Sequence, residues 1–245
     1  MRSEDDAMVK RLGVIGASLL CFVIVGCGMT EEELVEKGRA QMDVENYVGA
    51  IELFDRAIAK NNDNFTAYNA RGVALIRIDK LAEAITSFNE AVRIDSSDYR
   101  AYYNRANGKR LLEDDEGAML DYDKAIEIKP DVTDAYVNRG AILAKYNEFD
   151  RALFDFEFAL RLGATNPLLY LNKGKIELRI NNPEDAIFDF KKAIEMKEDF
   201  GEAYYWLGMA EIARDNRTEG CGYLQSASSY GIEDAQEAIA QNCLQ

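Results

Sequence analysis

The sequence contains no histidine, the residue that most often serves as a general base or a metal ligand. It also shows no serine paired with a base, no glycine-rich phosphate loop and no set of metal-ligating residues. Neighbouring carboxylates such as Asp114 and Asp115 could in principle exchange protons, but adjacent residues of a helix point apart. These absences predict that the protein is not an enzyme and uses neither a cofactor nor a metal.

Positive charge is scarce as well. The chain has 29 Lys and Arg residues against 44 Asp and Glu residues, so its formal net charge is -15. A surface of this kind repels phosphate backbones, whereas nucleic-acid binding needs clustered Lys and Arg. The composition therefore predicts no nucleic-acid partner.

A repeat with one constant step organises most of the chain. A first register of small residues is Gly38, Gly72, Ala106, Gly140, Gly174 and Gly208, and a second is Ala50, Ala84, Ala118, Ala152, Ala186 and Gly220. A register of large residues is Phe54, Phe88, Tyr122, Phe156, Phe190 and Leu224, and a fourth register holds Ala57, Ala91, Ala125, Ala159, Ala193 and Ala227. In the fourth unit, residues 133–146 and 148–162 each have the apolar spacing of an amphipathic helix. Two helices this short cannot bury such faces alone, so neighbouring units must cover them.

These registers resemble the tetratricopeptide repeat (TPR) family, whose period of roughly 34 residues is the step seen here. The resemblance implies an all-α fold, a right-handed α-solenoid of six helix-turn-helix repeats. The repeats are expected at residues 31–64, 65–98, 99–132, 133–166, 167–200 and 201–234. Residues 235–245 are expected to belong to a C-terminal capping helix that starts near residue 232. The departures are mild, since Leu34 and five tyrosines replace the family's tryptophan and only Pro130 keeps its late proline.

The N-terminal segment predicts export. Residues 12–26 are apolar and uncharged and follow Lys10 and Arg11. Fifteen residues are too few for an ordinary spanning helix and fit the core of a signal peptide. Residues 24–27, Ile-Val-Gly-Cys, resemble the lipobox of bacterial lipoproteins. This implies a signal peptide over residues 1–26, a lipidated Cys27 and a short tether over residues 27–30. An uncleaved anchor helix is the alternative, and translation could start at Met1 or Met8.

The residue after the lipobox cysteine bears on location. Gly28 rather than aspartate follows Cys27. By analogy with the sorting of Gram-negative lipoproteins, this implies a lipid-anchored protein of the bacterial cell envelope, at the outer membrane. The sequence leaves open whether the domain faces the periplasm or the outside.

The last two cysteines predict a disulfide. Gly231 marks the turn of an antiparallel helix pair, with Cys221 ten residues before it and Cys243 twelve after it. These positions lie at the same height on the two helices, and an exported compartment permits oxidation. Two buried free thiols are the alternative.

The TPR resemblance also implies where a partner binds. In that family the first helices of successive repeats line a concave groove. Transferred to this chain, the predicted groove residues are Arg39, Asn69, Arg77, Arg100, Tyr103, Asn107, Arg110, Lys145, Lys175, Arg179 and Tyr205, accompanied by Glu32, Asp43, Asp134, Glu202, Val137, Leu171 and Leu178. Arginine forks and tyrosine anchors suit an acidic peptide or one with a free C-terminal carboxylate. The alternative is that these cations only balance the acidic outer faces.

Asn104, Asn138 and Asn172 recur at another register and are expected to make helix contacts rather than ligand contacts. The carboxylate clamp of chaperone-binding TPR proteins is absent, because Tyr103, Leu168 and Asn172 stand where its basic groups belong. The sequence therefore predicts a non-catalytic, membrane-anchored interaction scaffold that binds a protein or peptide. A soluble cytoplasmic adaptor or co-chaperone and an enzyme-associated subunit are the alternatives, and the oligomeric state stays open.

Overall fold

The computed structural model of the protein describes residues 28–243. These residues form thirteen helices and no strand. The first helices of the six pairs are α1 (Glu31–Asp43), α3 (Phe65–Arg77), α5 (Tyr99–Leu111), α7 (Thr133–Lys145), α9 (Pro167–Arg179) and α11 (Gly201–Ala213). The second helices are α2 (Tyr47–Lys60), α4 (Leu81–Ile94), α6 (Asp115–Ile128), α8 (Phe149–Arg161), α10 (Pro183–Met196) and α12 (Arg217–Ser229), followed by α13 (Asp234–Asn242). Both series of helix starts recur at the constant step that the sequence registers show.

Short polar side chains set several helix starts. The side chain of Asn64 accepts a hydrogen bond of 2.9 Å from the backbone N–H of Ala67, and Asp114 accepts one of 3.0 Å from Gly117. Such caps satisfy backbone donors that have no partner inside the helix. Asn and Asp residues in the turns between repeats and inside them therefore start helices.

The turn inside each pair repeats the same backbone geometry. In all six turns one non-glycine residue has a positive φ of 60–64°; these residues are Glu45, Asp79, Glu113, Asn147, Asn181 and Asp215. The next residue closes the turn with a backbone bond to the end of the first helix, as from the Asp114 N–H to the Lys109 carbonyl at 3.0 Å. A left-handed residue followed by such a bond terminates a helix and sends the chain back antiparallel.

Glycine permits close packing inside each pair. A Cβ on Gly140 would lie 2.8 Å from a ring carbon of Phe156, and one on Gly38 would lie 2.4 Å from Phe54. The rings fill the space that the missing side chains leave, and both are fully buried. The small and large registers of the sequence are thus the two sides of one contact between paired helices.

The last helix covers the end of the array and is tied to it. Helix α13 packs against α12, and a disulfide joins Cys221 to Cys243 with their Cα atoms 5.8 Å apart. The bridge closes a loop of 22 residues, which corresponds to about 3 kcal/mol of stabilisation through the unfolded chain. The helix begins at Asp234, two residues later than expected, because the Ile232 N–H still bonds to the Ala227 carbonyl across the turn at Gly231.

The predicted all-α repeat solenoid is confirmed. Within residues 28–243, no helix has the length and apolar character needed to cross a membrane. The predicted signal peptide and Cys27 lie outside the described residues.

Candidate functional site

The helices of this array face two ways. First helices of neighbouring repeats contact one another, as α1 does with α3 and α7 with α9, whereas the second helices do not pack together as closely. Because the first helices are closer together, they form the inner side of the array and the second helices form its outer side. The inner side corresponds to the groove that the sequence predicts.

Most of the predicted groove cations are solvent-exposed. Lys175 is half-buried, and the exposed ones are Arg39, Arg77, Arg100, Arg110, Lys145 and Arg179. They follow the first helices from α1 to α9. This strip therefore offers positive charge on a chain whose net charge is -15.

Three of the cations line one cavity between the fourth and fifth repeats. The cavity has a volume of about 280 Å³ and is lined by Ala141, Ala144, Lys145, Phe149, Asn172, Lys175, Ile176 and Arg179. Three cationic groups and the Asn172 amide therefore lie beside the apolar side chains that line the rest of the cavity. We call this cavity the cationic pocket.

Each cation of the cationic pocket has a partner within the chain. Lys145 Nζ lies 2.5 Å from the Asp115 carboxylate, which raises the pKa of this lysine. Lys175 Nζ lies 3.0 Å from Glu202, and Arg179 donates a 3.1 Å hydrogen bond to the Asn147 side chain. Two of the three cations thus already hold a carboxylate. The chemistry that suits this place is the binding of an anionic oxygen group.

The cations nearer the N-terminus are held differently. The Arg77 guanidinium lies 4.7 Å from the centre of the Tyr47 ring. Arg100 is turned toward Asp98, the residue that caps α5, and its hydrogen bond lowers the pKa of that carboxyl group. Arg100 therefore supports the start of its own helix and contributes less to the groove than the sequence predicts.

The asparagines connect successive first helices. Asn104 Nδ2 donates to Asn69 Oδ1, and Asn138 Nδ2 donates to Asn107 Oδ1, both at 3.0 Å. This confirms that Asn104 and Asn138 make helix contacts. It also means that the side-chain oxygens of Asn69 and Asn107 are already in use.

The predicted tyrosine anchors are half-buried. Tyr103 packs against Tyr122 with ring centres 6.1 Å apart, and burial raises the pKa of its hydroxyl. Tyr205 meets the edge of Trp206 with ring centres 5.3 Å apart, and Lys175 lies at the same distance from the Trp206 ring. Lys175 therefore belongs to the cationic pocket and also lies beside Trp206, which Tyr205 contacts.

Two of the accompanying groove residues are placed wrongly by the sequence. Val137 and Leu171 are buried, with 3% and 1% of their surface exposed. Val137 belongs to the core of the fourth repeat and Leu171 to that of the fifth. A fixed register cannot separate a groove position from a core position when the side chain is apolar, because an apolar side chain turns inward where the core is within reach.

A row of ion pairs between first and second helices was not predicted from the sequence. We call it the ion-pair ladder. Its cations are Arg71, Arg105, Arg139 and Lys173, and they pair with Asp55, Asp121, Asp155 and Asp189, at 2.6, 2.6, 2.7 and 2.8 Å. Asp121, Asp155 and Asp189 are buried. The signal was available, because the four cations recur at the repeat step and these three aspartates follow their cations by 16 positions.

The ion-pair ladder also connects repeats. Arg139 donates through Nε and Nη2 to Asp155 in its own repeat and through Nη1 to Asp123 in the preceding one, at 2.6 Å. The hydrogen bond from Arg139 to Asp155 raises the pKa of the guanidinium. In the next repeat, burial raises the pKa of Asp189 to about 6 although Lys173 donates to it. The charges of these groups are paired within the fold and are not available to bind a ligand.

Among residues 28–243, no three Cys, Asp or Glu side chains gather as metal ligands would.

Comparison with known proteins places the fold in a family. Family models described as "Tetratricopeptide repeat" match residues 35–99, 99–132 and 168–200. No curated protein sequence matches the chain.

Solved structures give the same answer for the fold. The chain is similar to PilW, described as a widely conserved type IV pilus biogenesis factor (TM-score 0.75, 19% identity, 85% of this chain and 98% of that one). It is similar to YrrB, described as a TPR protein with an unusual peptide-binding site (TM-score 0.63, 22% identity, 76% and 97%). It is similar to a chain of the APC/C hetero-tetramer Cut9-Hcn1 (TM-score 0.76, 11% identity, 87% of this chain), of which it spans only 43%.

The matched repeats, the six helix pairs and the structural likenesses agree. The TPR fold is generally a non-catalytic scaffold for contacts between proteins. The chain belongs to the tetratricopeptide repeat family.

Proposed function

We propose that the protein is a lipid-anchored scaffold of the bacterial cell envelope, at the outer membrane, that holds a partner protein by an acidic or carboxylate-ending segment in its groove. No catalysis is part of this function. The single observation that supports it most is the cationic pocket, where Lys145, Lys175 and Arg179 come together on the inner side of the array.

One of the two internal ion pairs makes ligand exchange inexpensive. Lys175 and Glu202 are both partly accessible to water, and such a pair contributes little to stability, so rearranging it costs little. Lys145 is exposed but its partner Asp115 is buried, so this lysine keeps its carboxylate when a ligand binds. A ligand carboxylate can accept from Arg179 in a forked arrangement while it replaces water around the two lysines.

The apolar wall adds a second requirement. Ala141, Ala144, Phe149 and Ile176 line the same cavity as the cations. A peptide whose carboxylate meets Arg179 can place a small aliphatic side chain against this wall. We therefore favour a partner segment that combines a carboxylate with a short apolar side chain.

The anchor is the other half of the proposal. The lipobox resemblance assigns the acyl chains to Cys27, and the first helix starts at Glu31. Several acyl chains give firm attachment, since each buried methylene contributes about 0.8 kcal/mol. The scaffold then works close to a membrane surface.

Charge reversal in the groove tests partner binding. The variant R77E/R110E/R179E should recover at least about tenfold less partner from cross-linked envelopes than the wild type, because a hydrogen-bonded charge pair with the ligand is lost. The matched control R56E/K60E/R217E changes the net charge equally at exposed positions outside the groove. Equal recovery with the groove variant, or equal loss with the control, contradicts the proposed groove.

The anchor is tested separately. Cys27→Ala should move the protein from the membrane fraction to the soluble fraction while circular dichroism shows unchanged helix content. Unchanged recovery in membranes would mean that something other than acylation holds the protein there.

A further inference from the structure

The outer side of the array carries an exposed apolar row. Leu120, Phe154 and Phe188 lie at the same position of α6, α8 and α10, one repeat step apart, and are 64%, 57% and 59% exposed. At this register the other repeats have Glu52, Thr86 and Gly222. The row is therefore confined to the third, fourth and fifth repeats. Neither the groove nor the core uses it.

The exposed side chain of Phe154 contacts further aromatic side chains. The ring of Phe154 stacks on Phe158 with centres 6.1 Å apart, and Phe158 in turn packs on Tyr136. Exposed and partly exposed apolar groups that contact one another, as Phe154 and Phe158 do, mark interaction sites in soluble domains.

An acidic row runs beside the apolar one. Glu116, Asp150 and Glu184 are exposed and precede the three apolar residues by four positions. Residues four apart lie on the same face of a helix, so each carboxylate stands one turn from its apolar neighbour. The exposed acids of the three helices are Glu116, Asp123, Glu127, Asp150, Glu157, Glu184, Asp185 and Glu195, whereas the accessible bases are Lys124, Arg151, Arg161, Lys191 and Lys192.

Three of these five bases already pair with other carboxylates, so they do not neutralise the acidic row. Lys124 pairs with Glu127, Arg151 with Glu148 and Lys192 with Glu195. Each of these pairs joins residues three apart on the outer side. The acidic row is thus the unbalanced charge of this surface.

We propose that the outer side of the third to fifth repeats binds a basic amphipathic α-helix of a second partner protein. Its apolar face lies on Leu120, Phe154 and Phe188, and its Lys and Arg side chains meet Glu116, Asp150 and Glu184. A second copy of this chain is a poor occupant, because each copy carries a net charge of -15. This surface is separate from the groove and does not depend on the function proposed for it.

The arrangement of the second helices can accept a partner helix. Helices in direct contact lie about 8–10 Å apart, and α6, α8 and α10 do not pack closely on one another. Steps of seven or eight residues on one face of a helix are about 10.5–12 Å long. A partner helix that crosses α6, α8 and α10 can therefore place one apolar residue on each member of the row.

A designed peptide tests the surface directly. The probe is a 21-residue helical peptide with leucines on one face at steps of seven and lysines along one flank; its controls are a scrambled peptide and one with glutamates for lysines. Fluorescence polarisation should show saturable binding of the probe alone. The variant L120T/F154T/F188T, which takes the residue type that Thr86 shows at this register, should raise Kd about tenfold.

Matched variants make the result specific. V44T/V48T removes two other exposed aliphatic side chains and should leave Kd unchanged. The charge reversal E116K/D150K/E184K should also raise Kd, which keeps the test valid if the threonine variant folds poorly. The groove variant K145E/K175E/R179E should bind the probe as the wild type does. Equal binding of the scrambled peptide, or loss of binding only in the groove variant, overturns the proposal.

A photo-reactive amino acid in place of Phe154 identifies the natural occupant in cells. The expected cross-link falls on a basic amphipathic helix of another protein. A cross-link to a second copy of this chain, to lipid or to an acidic segment contradicts the proposal, and so does the absence of any cross-link.

Discussion

Two lysines of one helix show how this fold divides its positive charge. Lys173 and Lys175 lie two residues apart on α9, and their side chains are 16% and 33% exposed. Lys173 faces α10 and lies within ion-pair distance of the buried Asp189 and Glu177. Lys175 faces the groove and meets the accessible Glu202. Residues two apart on a helix point in different directions. Lys173 therefore joins α9 to α10, whereas Lys175 is accessible to a ligand.

The same difference separates the ion-pair ladder from the groove cations along the whole array. Arg105, Arg139 and Lys173 contact buried carboxylates, so removal of one partner leaves an uncompensated charge, whereas Arg71 pairs with the exposed Asp55. Most groove cations are exposed, and exposed ion pairs contribute about 0–1 kcal/mol; Lys145 is the exception, because its partner Asp115 is buried. We therefore expect ladder variants to change stability and groove variants to change binding.

The largest effect on stability should come from Asp155→Ala. This carboxylate is buried and accepts two hydrogen bonds from Arg139. Its loss leaves the guanidinium with only Asp123, and we expect the free energy of unfolding to fall by about 3 kcal/mol. Chemical denaturation monitored by circular dichroism measures the change.

Two variants sharpen this result. Asp150→Ala, at an exposed position of the same helix, should stay within about 0.5 kcal/mol of the wild type. The double variant R139L/D155L should recover much of the loss, because an apolar pair of similar volume can replace a buried ion pair. A loss in Asp155→Ala no larger than in Asp150→Ala would show that the ladder does not hold the repeats.

The ladder should also respond to acid at Asp189. Burial raises the pKa of this carboxyl from 3.8 to about 6 in the fold, whereas the unfolded chain keeps the lower value. Between these values the folded state binds the extra proton, so this group stabilises the fold as the pH drops from about 6 to about 4. The expected gain is on the order of 1 kcal/mol per pH unit.

Comparison with Asp189→Asn isolates this contribution. The difference in unfolding free energy between the wild type and D189N should shift in favour of the wild type as the pH falls through this range. If the difference stays flat or shifts the other way, the Lys173 pair outweighs burial at Asp189.

The smallest effect on stability is expected in the second repeat, where the ion-pair ladder lacks the buried aspartate. Ser87 stands at the register of Asp121, Asp155 and Asp189, and Arg71 donates a 2.8 Å hydrogen bond to its hydroxyl. Ser87→Asp would give Arg71 a second carboxylate besides Asp55. Because the added charge is buried, we expect a net gain of less than about 1 kcal/mol. A loss larger than that would mean that the second repeat cannot form the pair seen in later repeats.

The helical array followed from the sequence because two signals recur along the repeats. Gly140 and Phe156 mark close packing inside a pair, and polar residues such as Asn64 and Asp114 mark helix starts. Both signals are local consequences of side-chain size and hydrogen bonding, so they can be recognised each time the repeat step brings them back. The structure also joins the two cysteines that the sequence pairs across Gly231.

The site was less predictable, because a register gives a helix face but not the depth of a side chain. Val137 and Leu171 share a register with Tyr103 and Tyr205, but the aliphatic side chains turn into the core while the tyrosines stay half-buried. The pairing of Arg139 with Asp155 joins residues 16 positions apart on different helices, and only the packing of those helices brings them together.

The most direct test of the account is a titration followed by Trp206, the only tryptophan of the chain. Lys175 Nζ lies 5.3 Å from its ring, so a ligand that draws this lysine away should change the fluorescence. The probe is an octapeptide of six acidic residues followed by Ala-Leu with a free carboxyl terminus, compared with its C-terminal amide. We expect a saturable signal for the wild type and the R56E/K60E control, weaker binding of the amide, and a Kd about tenfold higher in K145E/R179E. No saturable signal, or the same Kd in K145E/R179E as in the wild type, would contradict binding in the groove.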